Sequence, residues 1–130
     1  MQQVGSETDR AMDVKRIYLE CLRDAIKKHE LEGCHELMIS LQGLRLGDAV
    51  LVGIPGEPFA ETGLGIKKDW PQIQVMVVGY ANRYFGYLPT YAAHKEGGYE
   101  AETTVFHPSM ENILVEGARQ VIKNLLERER

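Results

Sequence analysis

The sequence lacks the features that mark several large classes of protein. It has only two cysteines, Cys21 and Cys34, and no long apolar run, so neither a disulfide framework nor a transmembrane segment is predicted. Residues 1–13 lack the apolar core of a signal peptide, so the chain as written is expected to be soluble and cytoplasmic, without an export signal. A net charge of -4 leaves no basic surface, so nucleic acid is not an expected partner.

Several catalytic patterns are missing as well. The sequence contains no GxSxG nucleophile motif, no phosphate-binding loop and no dinucleotide-binding glycine pattern. The histidines at positions 29, 35, 94 and 107 do not have the short spacing of a zinc site. The composition is that of an ordinary globular protein, 44% apolar and 26% charged, and with the length of 130 residues it predicts a single domain over residues 1–130.

The hydrophobic pattern predicts an α/β fold, a small mixed sheet flanked by helices in the order αββαβ, long loop, α. The predicted elements are a helix over 9–29, a hairpin of 34–46 with 48–54, a helix over 57–68, a strand over 73–78, a loop over 79–108 and a helix over 109–128. The strand at 73–78 is expected to be central and covered on both sides, and Gly43 is a candidate bulge. Because three strands make a thin sheet for these helices, self-association into a homo-oligomer is a hypothesis.

Polar side chains follow two of the predicted strands. Glu57 comes after a Pro-Gly turn at the predicted start of a helix, where backbone amides favour an ionised carboxylate. Such a carboxylate suits a metal ligand or a general base, although acidic residues also occupy first helical turns for stability alone. Tyr84 and Tyr87 could donate a hydrogen bond to an oxyanion or bind a metal ion through their hydroxyl oxygens. Tyr99 follows two glycines, which permit close approach of the backbone to a ligand. A simple aromatic plug or turn is an equally open interpretation of these tyrosines.

The chain also carries three segments, over roughly residues 40–105, that together resemble a known family: LRLGDAVLVGIPGEPF, VVGYANRYFGYLPT and GGYEA. Their order and spacing are similar to those in the later, C-terminal portion of the catalytic domain of the neutral/alkaline (non-lysosomal) ceramidases, and especially of their uncharacterised bacterial relatives. Members of that family are zinc amidohydrolases that cleave the N-acyl bond of a sphingoid lipid. The resemblance therefore implies a zinc-dependent amidohydrolase with a small amide or lipid substrate.

The resemblance implies roles for three residues. Glu57 of the PGE motif and Tyr87, the second tyrosine of N-x-Y-x-x-Y, match zinc ligands of the family, and Tyr99 of YEA matches a tyrosine that helps to bind the scissile carbonyl. The family draws two zinc-ligating histidines and a serine nucleophile from sequence well upstream. This chain is therefore expected to be either an excised fragment or a subunit completed by a complementing chain, and to be inactive alone. Residues 58–61 replace the Thr-Thr-Met that follows PGE in ceramide-cleaving members, which argues against ceramide itself.

Two other interpretations remain. A non-catalytic α/β binding or assembly module would keep the same scaffold and would expose an apolar patch where the rest of the domain should pack. A small stand-alone hydrolase would pair Glu57 with a histidine such as His94, although the sequence shows no nucleophile with an adjacent base.

Overall fold

The computed structural model of this chain describes Glu20 and residues 38–127. The chain divides into two units, residues 1–38 and 39–130, and all the strands and helices below lie in the second. The helix predicted over 9–29 lies outside the described residues, apart from Glu20. The elements of the second unit are β1 (Gln42–Leu46), β2 (Ala49–Gly53), β3 (Glu57–Pro58), α1 (Ala60–Lys68), β4 (Gln74–Val78), β5 (Tyr87–Leu88), α2 (Tyr91–Glu96), α3 (Tyr99–Thr103) and α4 (Met110–Glu127).

The main sheet has the strand order β1-β2-β4 within the described residues, with β1 antiparallel and β4 parallel to β2. A tight turn at Gly47 and Asp48 joins β1 to β2, and Gly47 has a φ of +58°, a conformation that glycine adopts without steric cost. α1 connects the two parallel strands, as the strand, helix, strand pattern predicts. The predicted α/β class, a small mixed sheet with helices, is confirmed.

One face of this sheet forms the core with α1 and α4. α4 packs against β1, β2 and α1, because its buried residues recur every four positions on one stripe. Each fully buried aliphatic side chain of this kind contributes roughly 1.5–3 kcal/mol to stability. The buried core residues are Val50, Val52, Ile54, Ile66, Val75, Leu88, Leu114, Ala118 and Ile122.

The opposite face of the sheet carries apolar side chains that remain accessible to solvent. Leu44 on β1 lies opposite Leu51 on β2, and Leu51 lies opposite Met76 on β4, so these three side chains share one face of the sheet. Side chains two positions away on each strand lie on the same face. We call this surface the open face. It consists of Leu44 (53% exposed), Leu46 (59%), Leu51 (half-buried), Met76 (38%) and Val78 (42%).

The open face corrects one expectation for β4, which was predicted to be a central strand covered on both sides. Among the described strands, β4 is an edge strand, and Gln74, Met76 and Val78 on the open face are all exposed. The sequence pattern misleads because a uniformly apolar strand looks the same whether its second face is covered by the same chain or not.

The hairpin also differs from its prediction in two respects. Residues 38–41 have no regular structure, so β1 begins at Gln42, well inside the range 34–46. Gly43 is not a bulge, since it pairs in regular register with Val52. Its missing side chain instead admits α4: a Cβ at Gly43 would collide with Val121 and would lie 2.7 Å from Leu125 Cδ1. Glycine is used here for close helix–sheet packing.

The helix predicted from Glu57 begins three residues later, at Ala60. Glu57 precedes Pro58, and a residue before proline is sterically disfavoured in helical conformation. Phe59 is also extended, with φ -67° and ψ 154°. Glu57 therefore lies on the short strand β3, and the helix-terminus argument for its charge does not hold. Within α1, Ile66 is buried in the core, whereas Leu64 is 64% exposed.

The predicted loop over 79–108 contains one short strand and two short helices, β5, α2 and α3. Helices of six and five residues are too short to produce a recognisable apolar period, which is why the sequence pattern misses them. α2 starts at a Thr90 cap, whose hydroxyl accepts a hydrogen bond from Ala93 N at 3.1 Å. Within the described residues no helix is both long and apolar enough to cross a membrane.

Candidate functional site

The candidate site forms where β3 and β5 pair in parallel, because this pairing sets Glu57 directly opposite Tyr87. The Glu57 amide donates a hydrogen bond to the Gly86 carbonyl at 2.9 Å. Neighbouring strands lie about 4.8 Å apart, so the carboxylate and the phenol start from adjacent backbone positions. Both side chains are half-buried, which leaves them accessible to a ligand.

Glycine at the Pro-Gly turn makes this pairing sterically allowed. Gly56 has a φ of +154°, and a Cβ there would lie 2.7 Å from the Gly86 carbonyl oxygen and 2.9 Å from Leu88 Cδ1. Gly79 approaches the same turn from the end of β4, with a hypothetical Cβ 3.1 Å from the Gly56 carbonyl oxygen. The turn that carries Glu57 is therefore enclosed by the segments that follow β4, and residues with a side chain do not fit at Gly56.

Two tyrosines lie against the Glu57 carboxylate. The Tyr84 hydroxyl donates a hydrogen bond to Glu57 Oε1 at 2.6 Å, and the Tyr80 ring stacks on the Tyr84 ring with centroids 5.5 Å apart. Hydrogen bonding to Glu57 also raises the pKa of Tyr80 above its usual value, because only the protonated phenol can donate to the carboxylate. Tyr80 has a φ of +54°, a left-handed conformation that costs a non-glycine residue about 1–2 kcal/mol.

Tyr99 joins the site through Tyr87. The two rings meet edge to face, with centroids 5.8 Å apart and an interplanar angle of 76°. α3 and β5 are held together by Thr104, whose hydroxyl donates to the Tyr87 carbonyl at 2.8 Å. The three residues predicted as site residues thus form one contiguous group, with Glu57 beside Tyr87 and Tyr87 beside Tyr99. Their roles as ligands and carbonyl binder stay predictions.

Two residues of this group, Tyr80 and Thr104, were not identified from the sequence. Tyr80 lies in the same loop as the other tyrosines, but nothing in its spacing distinguishes a ring that reaches Glu57 from one that faces solvent. The role of Thr104 depends on a contact with Tyr87 that only the folded chain reveals.

A cleft of about 520 Å³ adjoins Glu57 between α1 and the ends of β3 and β4, a size within the range of small-molecule sites. Its walls are mainly apolar, with Glu57 and Lys67 as the charged residues. The remaining lining residues are Pro58, Phe59, Ala60, Gly63, Leu64, Val77, Gly79 and Tyr80.

The donors at this site fit part of a zinc site. Glu57 and Tyr87 offer two oxygen donors on adjacent strands, whereas zinc normally takes about four ligands. Within residues 38–127 no group of three His, Cys, Asp or Glu is placed to hold a metal ion by itself. His94 Nε2 does not hydrogen-bond to Glu57, since it is buried without a hydrogen-bond partner. Further ligands would have to come from outside this group.

Comparisons with known proteins point to one family, although no family model matches the sequence. The chain is 35% identical over 75 residues to the neutral ceramidase of Mycobacterium tuberculosis, and this match covers 53% of this chain and 12% of that protein. It is 33% identical over 79 residues to neutral ceramidase A of Dictyostelium discoideum, covering 55% of this chain and 11% of that protein. A solved structure described as "Ceramidase complexed with C2" matches with a TM-score of 0.58 and 26% identity, over 68% of this chain and 15% of that one.

These matches confirm the resemblance carried by the three sequence segments. The chain spans only 11% to 12% of the length of the curated relatives it matches. The structural match covers a larger share of this chain than the sequence matches do, 68% against 53% to 55%. Over its matched residues, this chain is similar to the neutral ceramidases.

Proposed function

We propose that this chain contributes Glu57 and Tyr87 to the zinc site of a ceramidase-like amidohydrolase that cleaves an N-acyl amide. The observation that carries the proposal is the parallel pairing of β3 with β5, which sets Glu57 opposite Tyr87 in the segment related to neutral ceramidases. A carboxylate and a phenol at paired positions of neighbouring strands lie on the same face of the sheet, so both can reach a shared ion.

The residues of the site divide the work of such a reaction. Glu57 and Tyr87 would hold the ion through oxygen, and the ion, when bound, polarises a carbonyl and lowers the pKa of bound water. Tyr99, packed against the Tyr87 ring, would donate a hydrogen bond to the carbonyl oxygen as negative charge develops on it. The apolar walls of the adjoining cleft suit the acyl or lipid part of a small amide substrate.

The proposal includes further polypeptide, because the described residues offer two ligands where zinc needs about four. The remaining ligands and the nucleophile would come from a longer form of this chain or from a complementing chain, and the described part would be inactive without them. The open face supports this view, since contiguous exposed apolar surface usually marks a place where other polypeptide packs.

Zinc titration of the purified chain tests the ligand assignment. We expect weak, saturable binding whose first effect, followed by NMR of ¹³C-labelled glutamate and tyrosine, is on Glu57 and Tyr87. Glu57→Ala and Tyr87→Phe should each weaken zinc binding strongly, followed at the remaining ligand, because each removes one of the two oxygen donors. Tyr91→Phe is a matched control, since Tyr91 is 54% exposed on α2 and its ring contacts Lys95.

Zinc that perturbs neither Glu57 nor Tyr87, or that binds both variants as tightly as the wild-type chain, would contradict the ligand assignment. The proposed function itself is tested separately, by combining this chain with the remaining part of a ceramidase-like domain and measuring hydrolysis of N-acyl amides. Activity that survives Glu57→Ala in that complex would contradict the proposed function itself.

The alternative function, a non-catalytic assembly module, is favoured by one observation, the exposure of the open face. If a second copy covers this face, light scattering should give a mass above that of one chain, and Leu44→Lys should return it to that of a monomer. Leu44 is 53% exposed, so the substitution should change the stability of a monomer by less than about 0.5 kcal/mol. A monomeric wild type at all concentrations would rule out self-association through this face.

A further inference from the structure

A stacked pair of tyrosines lies against the Glu57 carboxylate, outside the proposed ligand set. Tyr84 Oη donates to Glu57 Oε1 at 2.6 Å, a length typical of a hydroxyl bonded to a charged carboxylate. The Tyr80 ring stacks on Tyr84 with an interplanar angle of 7°. Tyr80 and Tyr84 are 65% and 53% exposed, so burial in the core does not explain why the rings lie there.

The backbone around Tyr80 is tied to the same turn that carries Glu57. The Tyr80 amide donates to the Gly56 carbonyl at 2.8 Å, and the Ala81 amide donates to the Ile54 carbonyl at 3.0 Å. Tyr80 nevertheless occupies a left-handed conformation, with a φ of +54°, where glycine would be free of strain. Backbone strain of this kind is commonly retained at functional sites, which favours a functional role for the Tyr80 ring beside Glu57.

We propose that Tyr84, supported by Tyr80, is a positioning residue that binds Glu57 Oε1 and fixes the orientation of the carboxylate for zinc, an inference that rests on the proposed zinc site. A half-exposed glutamate otherwise samples several rotamers, and fixing one of them before binding reduces the entropy lost on ligation. Hydrogen bonds that orient metal ligands typically change metal affinity by about 10–100-fold.

Zinc affinity of the full chain tests the positioning role. Tyr84→Phe should weaken zinc binding about 10-fold or more, while Tyr91→Phe should leave it unchanged. Combining Tyr84→Phe with Glu57→Ala distinguishes positioning from a general structural effect, because a residue that acts only through Glu57 adds nothing once Glu57 is gone. Unchanged affinity in Tyr84→Phe, or an equal further loss in the Glu57→Ala background, would overturn the proposal.

A measurement without metal separates failure of this inference from failure of the proposed function. In chain labelled with ¹³C-glutamate, Tyr84→Phe should shift the Glu57 side-chain carboxyl resonance at fixed pH, with an unchanged far-UV circular dichroism spectrum. Lack of zinc binding by the wild-type chain would count against the zinc site, and the carboxyl resonance would still report whether Tyr84 holds Glu57. A resonance that does not move in Tyr84→Phe would refute the positioning role.

Discussion

Replacing Gly56 with alanine is expected to destabilise the fold by roughly 3 kcal/mol and to separate β3 from β5. A Cβ at Gly56 would lie 2.7 Å from the Gly86 carbonyl oxygen, which is backbone and has little freedom to move away. The φ of +154° adds strain for any residue other than glycine. Because small domains have a total stability of about 5–15 kcal/mol, the expected loss is a large fraction of it.

Urea denaturation, followed by the fluorescence of the single tryptophan, Trp70, would measure this loss. Gly97→Ala is the matched control, because Gly97 also has a positive φ, +80°, but a Cβ there meets nothing within 4 Å. The control should lose only the strain contribution, about 1–2 kcal/mol. Equal losses in the two variants would mean that crowding against Gly86 does not restrict the turn.

The elements that local patterns specify were predicted well from the sequence. The strands at β2 and β4 follow from continuous apolar runs bounded by glycine and proline, and α4 follows from a stripe at a helical period. The start of α1 was wrong although the sequence contained the signal. Pro58 disfavours a helical Glu57, and this constraint outweighs the preference of acidic residues for first helical turns.

The geometry of the site required contacts that no local pattern encodes. Resemblance to ceramidases identified Glu57, Tyr87 and Tyr99, and the fold brings these three residues together. It did not identify the bond from Tyr84 to Glu57, which joins residues 27 positions apart in the chain. The exposure of the open face was equally hidden, because apolar composition does not reveal whether polypeptide from elsewhere covers a strand.

Leu88→Ala is the second substitution with a large expected effect, a loss of about 2–5 kcal/mol in the free energy of unfolding. Leu88 is 1% exposed and follows Tyr87 on β5, so the cavity would form directly beneath the site. Leu114→Ala is a matched control, since Leu114 is also 1% exposed but lies on α4. Both variants should lose similar stability by urea denaturation, but only Leu88→Ala should weaken the contact between the Tyr87 and Tyr99 rings, measured by NMR.

Combining Leu88→Ala with Gly56→Ala then tests how the turn and the core are coupled. A Cβ at Gly56 meets two neighbours, Leu88 Cδ1 at 2.9 Å and the Gly86 carbonyl oxygen at 2.7 Å, and truncating Leu88 removes only the first. The double variant should therefore lose less stability than the two single losses combined, by about 0.5–3 kcal/mol. Strict additivity would mean that the Gly86 carbonyl and the strain at Gly56 alone exclude a side chain. The position of Glu57 opposite Tyr87 would then depend on the backbone of the two loops and not on the core beneath them.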